Sequence, residues 1–215
     1  PSRQMVTRSV APSITHSLSR HACTLPLAVF PADVDASTGM CADGRVRITS
    51  SPSKGWGAFA VQPLLPDTEV GHYAGEVLSL GDVFERYFGG GGSESPQAVE
   101  EAEQHLAWVA ERQARGVGVT GAYIFNAGRC PHTFRDVLLD GEDPAHANWT
   151  RFINHSARRP NLSVTSEVVP NTNKTRTRGT PVVQFIVSSP IAPGEELLFD
   201  YGDGFDLDVL GFVED

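Results

Sequence analysis

The sequence predicts an α+β fold, mainly β: small sheets of short strands with one inserted helix. Three observations carry this. Several segments of four to eight residues alternate or run apolar, as strands do. Turn formers are abundant, with Gly 21 and Pro 15 among 215 residues. One stretch only, near residues 96–115, repeats its apolar residues at helical spacing. Short strands around one helix do not suit a βαβ dinucleotide-binding sheet.

The elements follow in chain order. Residues 45–49 (RVRIT) alternate like a half-buried strand. The turn-rich 51–57 leads into apolar 58–61. Residues 69–78 read as a strand pair, or as one strand with a bulge at Gly75. Four glycines at 89–92 form a link. Ser95 is then a candidate N-cap and Pro96 a first helical residue. Val99, Ala102, Leu106 and Val109 give that helix one apolar face, and Gly116 ends it. The helix is expected to pack by that face and to carry no chemistry. Further strands are expected at 121–126, 162–169, 181–188 and 195–200, with 170–179 as a polar hairpin tip.

Charge narrows the partners. Seventeen Lys+Arg against 26 Asp+Glu give −9. Three Arg and no acid precede Asp33, so the body is more acidic still. An acidic body argues against direct nucleic-acid binding through phosphates and suits a basic partner, such as a Lys/Arg-rich tail. No apolar run reaches the roughly 18 residues of a membrane helix. Three cysteines (Cys23, Cys41, Cys130) match neither a disulfide framework nor a zinc site, so no metal is expected and a reduced, intracellular compartment is. The four N-x-S/T triplets at Asn148, Asn154, Asn161 and Asn173 keep a secreted glycoprotein open. The Arg/Ser-rich residues 1–22 fit a transit peptide or a disordered extension.

Chemistry-bearing motifs are few. There is no G-x-S-x-G elbow, phosphate loop or H-E-x-x-H. Four blocks nevertheless occur in a specific order: Gly55-Trp56-Gly57, Tyr73-Ala74-Gly75-Glu76, Arg151-Phe152-Ile153-Asn154-His155-Ser156, and Glu196 to Gly202 (ELLFDYG). Together they resemble the SET-domain protein lysine methyltransferases, the histone-directed branch most closely, over residues 43–204.

The resemblance implies a SET-domain fold of small β-sheets with a pseudoknot, in which the RFINHS and DYG segments cross. It implies a domain at 43–204 after an N-terminal extension of 1–42, with the Gly-rich link and helix of about 85–120 as an insertion. It implies S-adenosyl-L-methionine as cofactor in a cleft on one side, and a lysine channel opening on the other. By the same likeness, the backbone of Lys54, Gly55, Trp56, Gly57 and Ala58 would hold the methionine part of the donor. Arg151, Phe152, Asn154 and His155 would form the cofactor wall, and Tyr123 would serve donor and lysine alike. Tyr73 and Tyr201 would stand nearest the transferred methyl, with Phe199 at the position where Phe allows di- or trimethylation. His155 is read as structural and cofactor-facing rather than as a base, and Glu76 and Asp200 as fixing turns.

Departures are visible. After Asn-His-Ser the chain continues Ala157-Arg158-Arg159 where the family commonly has Cys, and neither pre-SET nor post-SET zinc cysteines are present. Residues 205–215 are therefore the candidate that closes the channel. The first substrate expectation is a histone tail in the nucleus, modified as part of chromatin. A non-histone protein, a silent peptide-binding module, and a cytosolic or organellar location stay open.

Overall fold

The computed structural model describes residues 30–52, 54–88, 96–170 and 179–202. Four small sheets surround one main core. The link at 89–92, the Ser95 cap, most of the 170–179 tip, Asn173 and the closing segment 205–215 lie outside the described residues.

Strands β1 (Val46–Ser51) and β2 (Gly55–Ala60) pair antiparallel, Val46 opposite Ala60 and Ser51 opposite Gly55. Alternation decides the face: Val46 and Ile48 are buried while Arg47 and Thr49 are exposed. Before them, residues 30–42 pack onto the same core through Val34 and Cys41.

Residues 69–78 form two strands in different sheets: β3 (Glu69–His72) and β4 (Glu76–Leu78). The ladder irregularity lies between Glu69 and Gly71 rather than at Gly75. Gly75 marks the crossing between the sheets, where a Cβ would meet the Asp140 carbonyl at 2.6 Å. Two later strands were absent from the sequence reading: β6 (Asp136–Asp140), central between β4 and β5 (Ile124–Arg129), and β7 (Asn154–His155). The central β6 has no alternation because both its faces are covered. The third sheet places β9 (Thr180–Val187) between β3 and β8 (Leu162–Val169). The expected strand at 195–200 is paired along two edges. Leu197 donates to the Ala58 carbonyl, and β10 (Leu198–Phe199) runs parallel to β7, Leu198 opposite Asn154. The RFINHS and DYG segments therefore meet side by side.

Among the described residues two α-helices are present where one was expected. The unexpected one, α1 (Leu80–Phe88), begins with a reciprocal cap: Ser79 Oγ accepts from Asp82 N–H, and the Asp82 carboxylate accepts from Ser79 N–H. The Ser-x-x-Asp pattern before an apolar run is a legible signal that the sequence reading passed over. The second, α2 (Pro96–Ala114), ends as expected at Gly116, whose φ is 70°. Its packed face differs from the expected one. Val99 and Leu106 are 53% and 65% exposed, whereas Arg112 is 2% exposed and Trp108 half-buried. Polar contacts of Arg112 with the β6 end outweigh the apolar stripe, so periodicity alone selected the wrong side. No described helix is long and apolar enough to cross a membrane.

Candidate active site

A cavity of about 470 Å³ opens where β5, β10 and the 3-10 turn Trp149–Phe152 converge. Tyr73, Tyr123, Arg151, Phe199 and Tyr201 line it, joined by Phe125. Five of the residues chosen from sequence are thus brought together from positions 128 residues apart in the chain.

Tyr73 follows β3, and its N–H still donates to the Val183 carbonyl, which fixes where the ring starts. Its hydroxyl donates to the Tyr123 carbonyl at 2.6 Å. Tyr201 follows β10, and its hydroxyl donates to the Ile153 carbonyl at 2.9 Å. Burial pushes both phenols well above the ordinary tyrosine range. Both are therefore neutral donors and not phenolate bases. Phe199 packs against Tyr201 with ring centroids 4.5 Å apart and against Phe185 at 5.0 Å. Phe125 lies 5.3 Å from Tyr73 and 6.1 Å from Phe199, closing the aromatic wall. Phe125 lies in the expected 121–126 strand, from which the family resemblance singles out only Tyr123.

The remaining candidates form a second cluster behind this wall and do not line the cavity. Lys54 Nζ donates to the His155 carbonyl at 2.8 Å. Asn154 Nδ2 donates to the Trp56 carbonyl at 2.9 Å and to the Glu196 carboxylate at 2.7 Å. The 54–57 loop is thereby stitched to β7. Gly57 must be Gly, because the Glu196 carboxylate, Phe59 and Ser51 occupy the space of a Cβ. Ala58 and Phe152 are buried in the main core, Phe152 with its ring 5.8 Å from Phe30. Phe30 also meets Trp56 edge-on at 5.7 Å. His155 joins the two clusters. Its Nδ1 accepts from the Tyr201 N–H at 3.0 Å, which leaves the ring proton on Nε2.

Arg151 is 8% exposed, sits 3.9 Å over the Tyr123 ring and donates to the Glu142 carbonyl. Glu142, itself 3% exposed, accepts from the Thr120 and Gly121 N–H groups and the Thr120 hydroxyl. Sequence reasoning missed Glu142, Glu196 and Asn161. Asn161 donates to the Glu196 carbonyl and accepts from Leu198 N–H, fixing the entry to β10. The side chains of Asn148, Asn154 and Asn161 are all engaged in such internal bonds, which disfavours glycosylation at three of the four triplets.

The backbone beside Trp56 fits a sulfonium nucleoside donor in one testable respect. Gly55 is exposed with φ 77°, and a Cβ there would meet nothing within 4 Å. Open backbone thus lies next to the half-buried Trp56 and His155 rings.

The family description "SET domain" matches residues 55–202. Among solved structures, CpSET8 from Cryptosporidium is similar at 24% identity and a TM-score of 0.44. The match covers 74% of this chain and 57% of that one, so this chain spans less than two thirds of that protein's length. No curated protein matches the sequence. SET-domain proteins are in general protein-lysine methyltransferases that use S-adenosylmethionine. With the family's residues matched over most of its length, this chain belongs to the SET-domain family.

Proposed function

We propose that this protein is an S-adenosylmethionine-dependent protein-lysine N-methyltransferase. The observation that supports the reading best is the aromatic cavity with its two neutral, backbone-bonded phenols, Tyr73 and Tyr201.

Each part of that wall has a task in methyl transfer to an amine. An ammonium has no lone pair, so the lysine must be neutral when it attacks. Apolar rings of Phe125 and Phe199 disfavour the charged amine by desolvation. The same aromatic faces tolerate cationic forms that enter and leave. Tyr73 and Tyr201 both line the cavity, with their hydroxyl protons directed at carbonyls. There they hold N–H and polarised C–H groups in line, an orientation contribution. S-adenosylmethionine, when bound, supplies a methyl group on a positively charged sulfur. The Lys54–Ala58 backbone, Asn154 and His155 are the groups that would hold it. Among the described residues no Asp, Glu, His or Lys lines the cavity. The proton that the amine sheds as the rings desolvate it passes to water at the mouth of the cavity.

The substrate is a lysine on a basic segment, a histone tail first, because the body is acidic. Phe199, with no hydroxyl to occupy space beside the amine, admits di- and trimethyl products. The test is transfer of a labelled methyl group to core histones and to cell extract, with Tyr201→Phe alongside. Label on a protein band that the variant loses is the expected result. Donor binding without label on any protein would sink the reading in favour of a silent peptide-binding module.

A further inference from the structure

The inserted helix α2 was expected to pack by an apolar face and do nothing else. Most of its expected face is in solvent, and the side chain it buries most completely is a cation. Arg112, 2% exposed, lies 4.6 Å from the Trp108 ring centroid and donates to the Gly118 carbonyl and the Tyr87 hydroxyl. Its guanidinium also lies 3.8 Å from Asp140 and 3.7 Å from Glu76. The Asp140 side chain is fully buried, accepts from Tyr87 at 2.6 Å and from the Glu142 N–H at 2.9 Å, and has Arg86 at 3.5 Å. A buried carboxylate depends on such partners.

The turn after Asp140 is also what holds one wall of the cavity. Gly141 N–H donates to the Tyr123 carbonyl, the same oxygen that receives the Tyr73 hydroxyl. The Glu142 carboxylate grips Thr120 and Gly121, just before Tyr123, while its carbonyl receives Arg151, which lies over the Tyr123 ring. Arg115, just after α2, adds a second tie, at 2.9 Å to Asp143. An unbroken run of contacts therefore leads from α2 to Tyr123. Arg151, in that run, also lies 5.4 Å from the Phe152 ring, whereas the donor-side stitches at Lys54, Asn154 and Glu196 are made by other residues.

We infer that Arg112 is a positioning residue for the Tyr123 wall, through Asp140 and Glu142, and so sets acceptance of the lysine more strongly than that of the donor. The inference rests on the methyltransferase reading. Without the Arg112 cation, Asp140 must draw in water or turn outward, and Gly141 and Glu142 move with it. Tyr123 then loses its backbone partner, and the ring under it loses its anchor. Displacement of the order of an ångström at a reacting site costs up to about 100-fold in rate.

The experiment compares wild type, Arg112→Met and Arg112→Lys in the full chain, with Glu142→Gln as a second probe should Arg112→Met fail to fold. Amide hydrogen exchange is followed by mass spectrometry, donor affinity by calorimetry, and steady-state kinetics with a histone-tail peptide. For Arg112→Met, exchange should rise at 118–124 and stay unchanged at 153–155 and 198–201. Peptide KM should rise and kcat fall, together lowering kcat/KM roughly 10- to 100-fold, with donor affinity held within about twofold. Arg112→Lys, which keeps the charge but not the fork, should recover part of the loss. Glu142→Gln should repeat the pattern. Exchange that rises throughout the molecule, with donor binding lost in proportion, would reduce Arg112 to a structural role and overturn the inference. So would unchanged exchange at 118–124. Wild type that transfers no methyl group to any substrate would sink the methyltransferase reading instead, and the exchange pattern would still decide whether Arg112 holds the wall.

Discussion

The two walls of the cavity are held by different physics. On the Tyr201 side the ties include a phenol to the Ile153 carbonyl, an imidazole to a backbone N–H, and ring contacts with Phe199 and Phe185. On the Tyr123 side the ties run through buried or half-buried ions: Arg86, Arg112, Glu76, Asp140, Glu142 and Arg151. Hydrogen bonds between uncharged groups in a close-packed core respond little to salt, whereas a network of ions depends on each partner's charge. The first wall is thus suited to an invariant chemical task, and the second to adjustment by whatever α2 touches.

The largest expected effect breaks the neutral wall. Tyr201→Phe removes one hydroxyl and should lower kcat by about 100-fold or more, as loss of one aligned polar group at a reacting centre does. Its melting temperature should move little beside that loss; equal collapse of fold and activity would contradict the assignment. Arg112→Met, described above, ranks next and loads on the ionic wall. Gly141→Ala strikes between the walls. A Cβ at Gly141 would lie 2.6 Å from the Tyr73 hydroxyl and must push it off the Tyr123 carbonyl. Thermal unfolding should show about 1–3 kcal/mol of overpacking cost, and turnover should fall as well; a variant as active as wild type would show that the Tyr73 position is not critical. Phe199→Tyr sharpens the neutral side without breaking it. The product should shift toward monomethyl-lysine by mass spectrometry, and an unchanged product ratio would remove Phe199 from that role.

The smallest effect separates the walls by pH. Two hydrogen bonds from Arg86, at 2.7 and 2.9 Å, hold the Glu76 carboxyl below its usual range. A depressed carboxyl stabilises the fold above its unfolded pKa, about 4.3, and that contribution is lost as pH falls through the lower folded value. The melting-temperature gap between wild type and Glu76→Gln should therefore be full at pH 7 and close toward pH 3. A gap independent of pH would show that the Arg86 pair is not what Glu76 contributes. At the other extreme the raised phenols of Tyr73 and Tyr201 predict no loss of rate through the ordinary tyrosine range near 10, measured over the span in which the protein stays folded.

Much of this molecule was legible in its sequence. The order of the Gly-Trp-Gly, Tyr-Ala-Gly-Glu, Arg-Phe-Ile-Asn-His-Ser and Glu-Leu-Leu-Phe-Asp-Tyr-Gly blocks pointed to the family, which the match over residues 55–202 shows. Alternation located β1, and the 162–169 and 181–188 runs located β8 and β9 within a residue. These signals are local: a half-buried strand or a glycine that ends a helix writes its requirement into adjacent residues. What the sequence left undecided was non-local. Central β6 shows no alternation, because both its faces are covered by elements far away in the chain. The exposed stripe of Val99 and Leu106 looked like a packing face, because periodicity records which residues share a side and not which side faces the core. Arg112 reads in sequence as a charge suited to a helix C-terminus. Only the tertiary structure, by setting it against Asp140 and Glu76 from separate strands, gave a surface-type residue a buried task. Local sequence thus determined the family motifs and most strands, while long-range packing decided which charges became the supports of the site.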